Sequence, residues 1–153
     1  DEDWLAMPSR VGDMIAPLIG AAPGTVTCAD NTSINLHKAL MSAVAMRPGR
    51  TEIIADVNNF PTDIYIAQSV ADQCGLTLTL VKASQIPAAV NANTAVVTAT
   101  HVDYRSAHIL HADEITAAAH AAAPAAASWS LTASPTAYWR AVVMAVRGRS
   151  SPG

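Results

Sequence analysis

The sequence has little of what nucleic-acid-binding, membrane and disulfide-rich proteins require. Nine Lys and Arg residues against twelve Asp and Glu give a net charge of -3, without a basic cluster that could follow a phosphate backbone. No uninterrupted apolar run approaches the length of a membrane span. Two cysteines, Cys28 and Cys74, are too few for a disulfide framework. These absences argue against nucleic-acid and membrane partners and predict a soluble protein of the reducing cytoplasm.

The chain also lacks the signals of a protein's natural start. Its first residues, Asp1 to Trp4, contain no initiator Met, no basic segment and no signal-peptide core, so we expect a fragment of a longer protein. Its 153 residues, 51% of them hydrophobic, nevertheless suffice for one domain with a core.

Hydrophobic periodicity and turn residues predict alternating strands and helices. A first amphipathic helix is expected over 8–20, with Ser9 as a candidate N-cap. The further elements are strands 25–29, 52–55, 77–81 and 95–100 and helices 34–46, 61–75, 86–90 and one from Asp113. Strands that are joined by helices are parallel, so the predicted fold class is α/β: three αβα layers around a mostly parallel sheet.

A parallel sheet binds ligands at the carboxyl ends of its strands. The segments that follow the four predicted strands are 30–33, 57–63, 82–85 and 100–106, and three of the four are rich in polar side chains. This edge is therefore the predicted ligand site.

The tail differs in composition from the rest. No Asp or Glu follows Glu114, while Ala, Ser, Arg, Pro and Trp dominate the last thirty residues or so. Such a composition is typical of GC-rich DNA translated out of frame. We therefore predict a partial large domain over 1–120 and a divergent tail over 121–153, with the frame lost between His120 and Trp129 as a hypothesis that sequencing of the source DNA would test.

Two segments at the predicted edge have the residues of a cofactor site. Thr32 and Ser33 lie at a helix start, where unpaired N–H groups and the helix dipole favour a phosphate, although ordinary N-capping explains them equally. Phe60 places a ring there with Asp63 three residues on. A flat cofactor could stack on the ring; a hydrophobic staple and a carboxylate favoured by the helix dipole are the alternative.

The third segment follows the apolar strand 95–100. Six of its seven residues, Thr100 to Ser106, are polar, which is typical of an active-site loop and also of a solvated one. Four histidines crowd this region, but without an HExxH motif we expect no metal. The GxSxG, GxGxxG and GxxxxGK motifs are also absent, so neither a serine nucleophile nor a nucleotide loop is indicated.

Five motifs in register over about Trp4 to His120 resemble the kynureninases. They are Pro8-Ser9-Arg10-Val11-Gly12-Asp13, Leu18-Ile19-Gly20-Ala21, Asn31-Thr32-Ser33-Ile34-Asn35-Leu36, Asn59-Phe60-Pro61-Thr62-Asp63-Ile64-Tyr65 and Thr100-His101-Val102-Asp103-Tyr104-Arg105.

The resemblance implies a pyridoxal 5'-phosphate enzyme of fold type I, the aspartate aminotransferase fold, similar to the class V aminotransferases. Its reaction would be hydrolysis of L-kynurenine or 3-hydroxykynurenine to an anthranilate and L-alanine in tryptophan catabolism and NAD biosynthesis, by a cytoplasmic homodimer. Carried over by position, the cofactor-binding residues are Thr32 and Ser33 at the phosphate, Phe60 on the ring, Pro61, Thr62 and Asp63 beside it, and Thr100 lining the pocket.

The sequence departs from the family after His120. The family's aromatic-Asp-Leu-x-His-Ser motif aligns best with 129–134, where Ser130 replaces the Asp and Ala133 the His. The only lysines, Lys38 and Lys82, lack the Tyr-Lys context of the lysine that binds the cofactor. We therefore predict no catalytic residue in this chain and no turnover by it alone. The alternatives are a cysteine desulfurase-like lyase of the same fold, a non-enzymatic α/β module and a decayed reading frame.

Overall fold

A computed structural model of the chain describes the backbone of residues 2–122, 128–132 and 141–146 and the side chains of residues 3–122. The helices are α1 (Glu2–Ile15), α2 (Thr32–Ala45), α3 (Pro61–Cys74), α4 (Ile86–Ala89) and α5 (Ala112–Ala121), with 3-10 turns at Ala16–Ile19 and Ala83–Gln85. The strands are β1 (Glu52–Asp56), β2 (Thr77–Val81), β3 (Thr94–Thr100), β4 (Ser128–Thr132) and β5 (Ala141–Val146).

The strands form one sheet in the order β2-β1-β3-β5-β4. β1 lies between β2 and β3 and is parallel to both, because a helix connects each of these strands to the next. β5 runs antiparallel to β3, and β4 runs antiparallel to β5. The predicted α/β class is confirmed: helices flank a parallel three-stranded unit, consistent with part of a fold type I domain.

Two apolar layers cover the parallel strands, one on each face. Neighbouring residues of β1 point to opposite faces, so Ile53 faces α2 and α3 while Ile54 faces α4 and α5. The first layer includes Leu36, Leu40, Ala67, Val70 and Val96, and the second includes Ile86, Val97, Leu110 and Ile115. α2 and α3 therefore lie side by side over one face, which places their first turns at the same edge of the sheet.

Two predictions about the first thirty residues are wrong. Segment 25–29 is not a strand; its backbone packs on α1, where a Cβ added at Gly12 would lie 2.0 Å from the carbonyl oxygen of Val26. Strand propensity does not make a strand without a neighbour to pair with. α1 also begins at Glu2, so Ser9 lies inside the helix and does not cap it.

The predicted divergent tail, 121–153, contributes β4 and β5 to the sheet. Residues 123–127, 133–140 and 147–153 lie outside the described residues, and the loss of the reading frame stays a hypothesis. Over the described part of the chain, none of the helices has the length and apolar character needed to cross a membrane.

Candidate functional site

The carboxyl ends of β1 and β3 meet the first turns of α2 and α3 at one edge of the sheet. α3 follows β1 after a turn of four residues, so it starts where β1 ends. α2 precedes β1 and leads to its amino end, so the start of α2 lies at the opposite, carboxyl end. The topology thus brings three of the polar segments predicted from the sequence to the same edge.

The turn between β1 and α3 is held by its own main chain and by a buried carboxylate. The Asn58 N–H donates to Oδ1 of Asp56, and the Asn59 N–H donates to the Asp56 carbonyl, each at 3.0 Å. Pro61 then opens α3, a position where the missing N–H of proline costs nothing. The turn therefore presents Phe60 at a defined place at the start of α3.

Asn59 connects this turn to the end of β3. Its Oδ1 accepts a hydrogen bond from the Phe60 N–H at 2.9 Å and another from the Thr100 hydroxyl. Asn59 is only 5% exposed, and among residues 3–122 its Nδ2 has no hydrogen-bond partner. The site residues Phe60 and Thr100, forty positions apart in the chain, are joined through this one side chain.

The Phe60 ring is half-buried and touches the segment that follows β3. Its centroid lies 5.3 Å from that of Tyr104, at an interplanar angle of 74°, which is a favourable edge-on contact. The Arg105 guanidinium lies 5.4 Å from the Tyr104 ring centroid, within the range of a cation–π contact. The loop after β3 therefore packs against the aromatic side chain of the neighbouring turn.

The loop after β3 is held by hydrogen bonds between its own residues. A bridge between Val102 and Ile109 closes it, and at its tip Oδ1 of Asp103 accepts the N–H groups of Arg105 and Ser106 and the Ser106 hydroxyl. These hydrogen bonds, chiefly from the Ser106 N–H and hydroxyl, lower the pKa of the Asp103 carboxyl.

Asp63 is a second buried acid at this edge, after Asp56. It lies in the first turn of α3 and is 7% exposed, and its N–H donates to the Phe60 carbonyl at 2.9 Å. Burial raises the pKa of its carboxyl above the usual value, because the charged form loses hydration. Asp63 is thus a buried carboxyl in the helical turn that directly follows Phe60.

The start of α2 is shaped by side chains from both sides of it. The Ile34 N–H donates to Oδ1 of Asn31 at 3.0 Å, so Asn31 is the N-cap and the Thr32 and Ser33 hydroxyls are not needed for that cap. Asp30 has a positive φ of 47° and forms an ion pair with Lys38. The first turn of α2 therefore offers two hydroxyls and helix N–H groups to an anion.

The predicted site residues lie at one edge of the sheet, some linked by hydrogen bonds and others placed there by topology alone. Phe60 and Thr100 are linked directly through Asn59, and Pro61, Thr62 and Asp63 form the adjoining helical turn, whereas Thr32 and Ser33 are placed there by topology. Sequence reasoning missed Asn59, although a polar residue directly before an aromatic one in a strand-to-helix turn is a usable signal. In the part of the chain that the structure describes, no cluster of three His, Cys, Asp or Glu could hold a metal.

No protein-family model matches the chain, but individual proteins do. A kynureninase of Pseudomonas fluorescens is 41% identical over 135 residues, which is 84% of this chain and 32% of that protein. A kynureninase of Deinococcus radiodurans is 40% identical over 78% of this chain, and one of Burkholderia pseudomallei is 42% identical over 69% of it.

These matches confirm the resemblance drawn from the five motifs. The chain spans about a third of the length of the curated relatives it matches, with 32%, 29% and 27% of the three proteins covered.

Proposed function

From the premise that this chain resembles a segment of the kynureninases, we propose that it forms the cofactor-binding part of a pyridoxal phosphate-dependent hydrolase. The parent reaction is cleavage of a carbon–carbon bond in L-kynurenine or 3-hydroxykynurenine, releasing an anthranilate and L-alanine. The observation that carries the proposal is the linked set Phe60, Asn59 and Thr100, with Asp63 in the adjoining turn.

The residues of the edge fit the parts of pyridoxal phosphate. Thr32 and Ser33, in the first turn of α2, suit the phosphate, because a helix start favours an anion and hydroxyls donate to it. The Phe60 ring suits the face of the pyridine ring. Thr98 lies near the same end of β3, and its buried hydroxyl has no hydrogen-bond partner among residues 3–122. Buried polar groups without partners are common at ligand sites, which supports the proposal.

Each residue has a role that its surroundings support. Pro61 fixes the path of the main chain into α3, Thr62 follows it in the first turn, and Asp63, buried in that turn, holds or releases a proton at its carboxyl oxygen beside the cofactor. Thr100 lines the pocket from the end of β3. When bound, the cofactor supplies the electron sink for bond cleavage, and the protein supplies its position.

The chain does not perform the reaction alone in this proposal. Its lysines are Lys38, which lies in α2 and pairs with Asp30, and Lys82, which follows β2 at an exposed position. Neither is one of the cofactor-binding residues named above. The homodimer, the cytoplasmic location and the place in tryptophan catabolism remain predictions that follow from the family.

Titration with pyridoxal phosphate, followed by absorption spectroscopy, tests the proposal. We expect a saturable spectral change with the full chain, and an affinity about two- to tenfold lower in Phe60→Ala, since an aromatic contact contributes about 0.5 to 1.5 kcal/mol. Tyr65→Ala is the matched control, because Tyr65 is an aromatic residue of the same region that is 70% exposed. It should bind as the unaltered chain does.

Two outcomes would contradict the proposal. Absence of saturable binding by a chain that circular dichroism shows to be folded would favour a non-enzymatic α/β module. Release of fluorescent anthranilate from kynurenine by the purified chain would show that turnover does not need the cofactor-binding lysine that the family resemblance implies.

A further inference from the structure

Asn59 is buried at the centre of the proposed cofactor site, yet none of the roles above belongs to its side chain. It is 5% exposed and lies between the end of β1, the start of α3 and the end of β3. Both hydrogen bonds of its side chain go to residues of the proposed site, Phe60 and Thr100.

The orientation of the Asn59 carboxamide follows from its partners. A main-chain N–H can only donate, so the atom that lies 2.9 Å from the Phe60 nitrogen must be the oxygen. The same oxygen is the partner of the Thr100 hydroxyl, so that hydroxyl must donate its hydrogen to Asn59. The carboxamide thus has one orientation that satisfies both bonds.

This orientation leaves an unfavourable group in the interior. The two hydrogens of Nδ2 have no acceptor among residues 3–122, and a buried amide without a partner destabilises a fold. An apolar side chain of similar size would avoid that cost. The oxygen of Asn59 is therefore the part of the side chain that the site requires.

We propose that Asn59 is a positioning residue of the ligand site. Its Oδ1 fixes the main chain that carries the Phe60 ring and takes the hydroxyl hydrogen of Thr100. Thr100 then offers a ligand only its lone pairs, so a ligand group that hydrogen-bonds to its hydroxyl oxygen must be a donor. The inference deepens the proposed function and rests on it only for the identity of the ligand as pyridoxal phosphate.

The direct test compares Asn59→Ala with Asn58→Ala. Asn58 is the neighbouring, exposed asparagine, and its main-chain N–H contributes to the turn. In Asn59→Ala we expect hydrogen exchange at the Phe60 amide to accelerate about tenfold or more and the ring-proton shifts of Tyr104 to change, because the ring contact moves. Asn58→Ala should change neither. An unchanged Phe60 amide and unchanged Tyr104 shifts in folded Asn59→Ala would overturn the proposal.

A double-mutant cycle with Thr100→Val tests the action through the hydroxyl. Valine keeps the shape of threonine, so folding should survive. We expect Thr100→Val to weaken pyridoxal phosphate binding about tenfold in the unaltered chain but about threefold or less when Asn59 is already alanine. An equal loss in both backgrounds, or no loss in Thr100→Val, would overturn the role assigned to Asn59.

The experiment separates this proposal from the proposed function. Lack of pyridoxal phosphate binding by the unaltered chain would sink the proposed function, while the Phe60 exchange and the Tyr104 shifts would still decide on Asn59. If Asn59→Ala does not fold, Asn59→Asp replaces it, since a carboxylate can accept both hydrogen bonds. Retained Phe60 protection in Asn59→Asp then supports the proposal, and its loss contradicts it.

Discussion

The two ends of the parallel strands differ in how well their polar side chains are hydrogen-bonded. At the amino end, the Glu52 carboxylate accepts the Thr79 hydroxyl at 2.6 Å, the Asn91 Nδ2 at 2.8 Å and the Thr94 hydroxyl at 3.2 Å. Arg50 donates to the main-chain carbonyls of Thr94 and Ala122 nearby. This end joins β1, β2, β3 and the end of α5 through matched donors and acceptors.

The carboxyl end leaves its polar groups less well satisfied. Within residues 3–122, the Asn59 Nδ2 and the Thr98 Oγ1 are buried without partners, and the Asp63 carboxyl has its pKa raised by burial. The comparison teaches that the Glu52 hydrogen bonds serve stability, whereas the buried groups of Asn59, Thr98 and Asp63 carry a stability cost of the kind that is common at functional sites.

Glu52→Ala gives the largest expected effect on this comparison. It removes the acceptor of three hydrogen bonds, one of which comes from the buried Thr94 hydroxyl. We expect the free energy of unfolding to fall by about 2 to 3 kcal/mol, measured by urea denaturation. Asn93→Ala, at an exposed position of the turn before β3, is the control and should change stability by less than about 0.5 kcal/mol. Equal losses in the two variants would erase the difference between the ends.

Two buried threonines of β3 allow a matched test within one strand. The Thr94 hydroxyl has partners, and among the described residues the Thr98 hydroxyl has none. We expect Thr94→Val to lower the free energy of unfolding by about 1 kcal/mol and Thr98→Val to raise it by about 1 kcal/mol. Urea denaturation of both variants decides the matter. A loss of stability in Thr98→Val would mean that the Thr98 hydroxyl has a hydrogen-bond partner and would remove this difference between the two ends.

Asp63→Asn is expected to have the smallest effect, and one that depends on pH. Burial raises the pKa of Asp63 in the folded chain above its ordinary value of 3.8. The free energy of unfolding is therefore highest, as far as Asp63 is concerned, below pH 3.8, and it falls as the pH rises through the folded pKa. Asp63→Asn removes that loss, and we expect it to be more stable than the unaltered chain at pH 7. The difference should shrink as the pH falls toward 4, as urea midpoints measured at several pH values would show. If the stability difference between the two chains instead grew as the pH fell, the pKa of Asp63 would not be raised by burial and the prediction would be wrong.

Much of the parallel unit could be predicted because its signals are local. Alternating Thr and Leu gave β2 its observed bounds, and Pro61 and Gly75 mark the ends of α3, where Gly75 takes a positive φ of 67° that other residues adopt only at a cost. The edge location of Phe60, Asp63 and Thr100 followed from topology alone.

What could not be predicted depends on partners distant in the chain. Segment 25–29 has strand-forming residues, but a strand also needs a neighbouring strand to pair with. The segment is not part of the sheet that the structure describes. Asn59 is similar, since its function in the turn becomes visible only when Thr100, from β3, lies beside it. A polar residue before Phe60 makes Asn59 a candidate, but no local pattern in the sequence predicts its contact with Thr100.

The loop before α2 is held by residues close to it in the chain, since Asn35 donates to the Ala29 carbonyl and Lys38 pairs with Asp30. Closing such short loops loses little chain entropy, whereas joining Asn59 to Thr100 requires β3 to be in place. The phosphate end of the proposed site can thus assemble early in folding and the ring end late. A ligand that bridges both would bind only to chains whose sheet is complete, and would act as a reporter of finished folding.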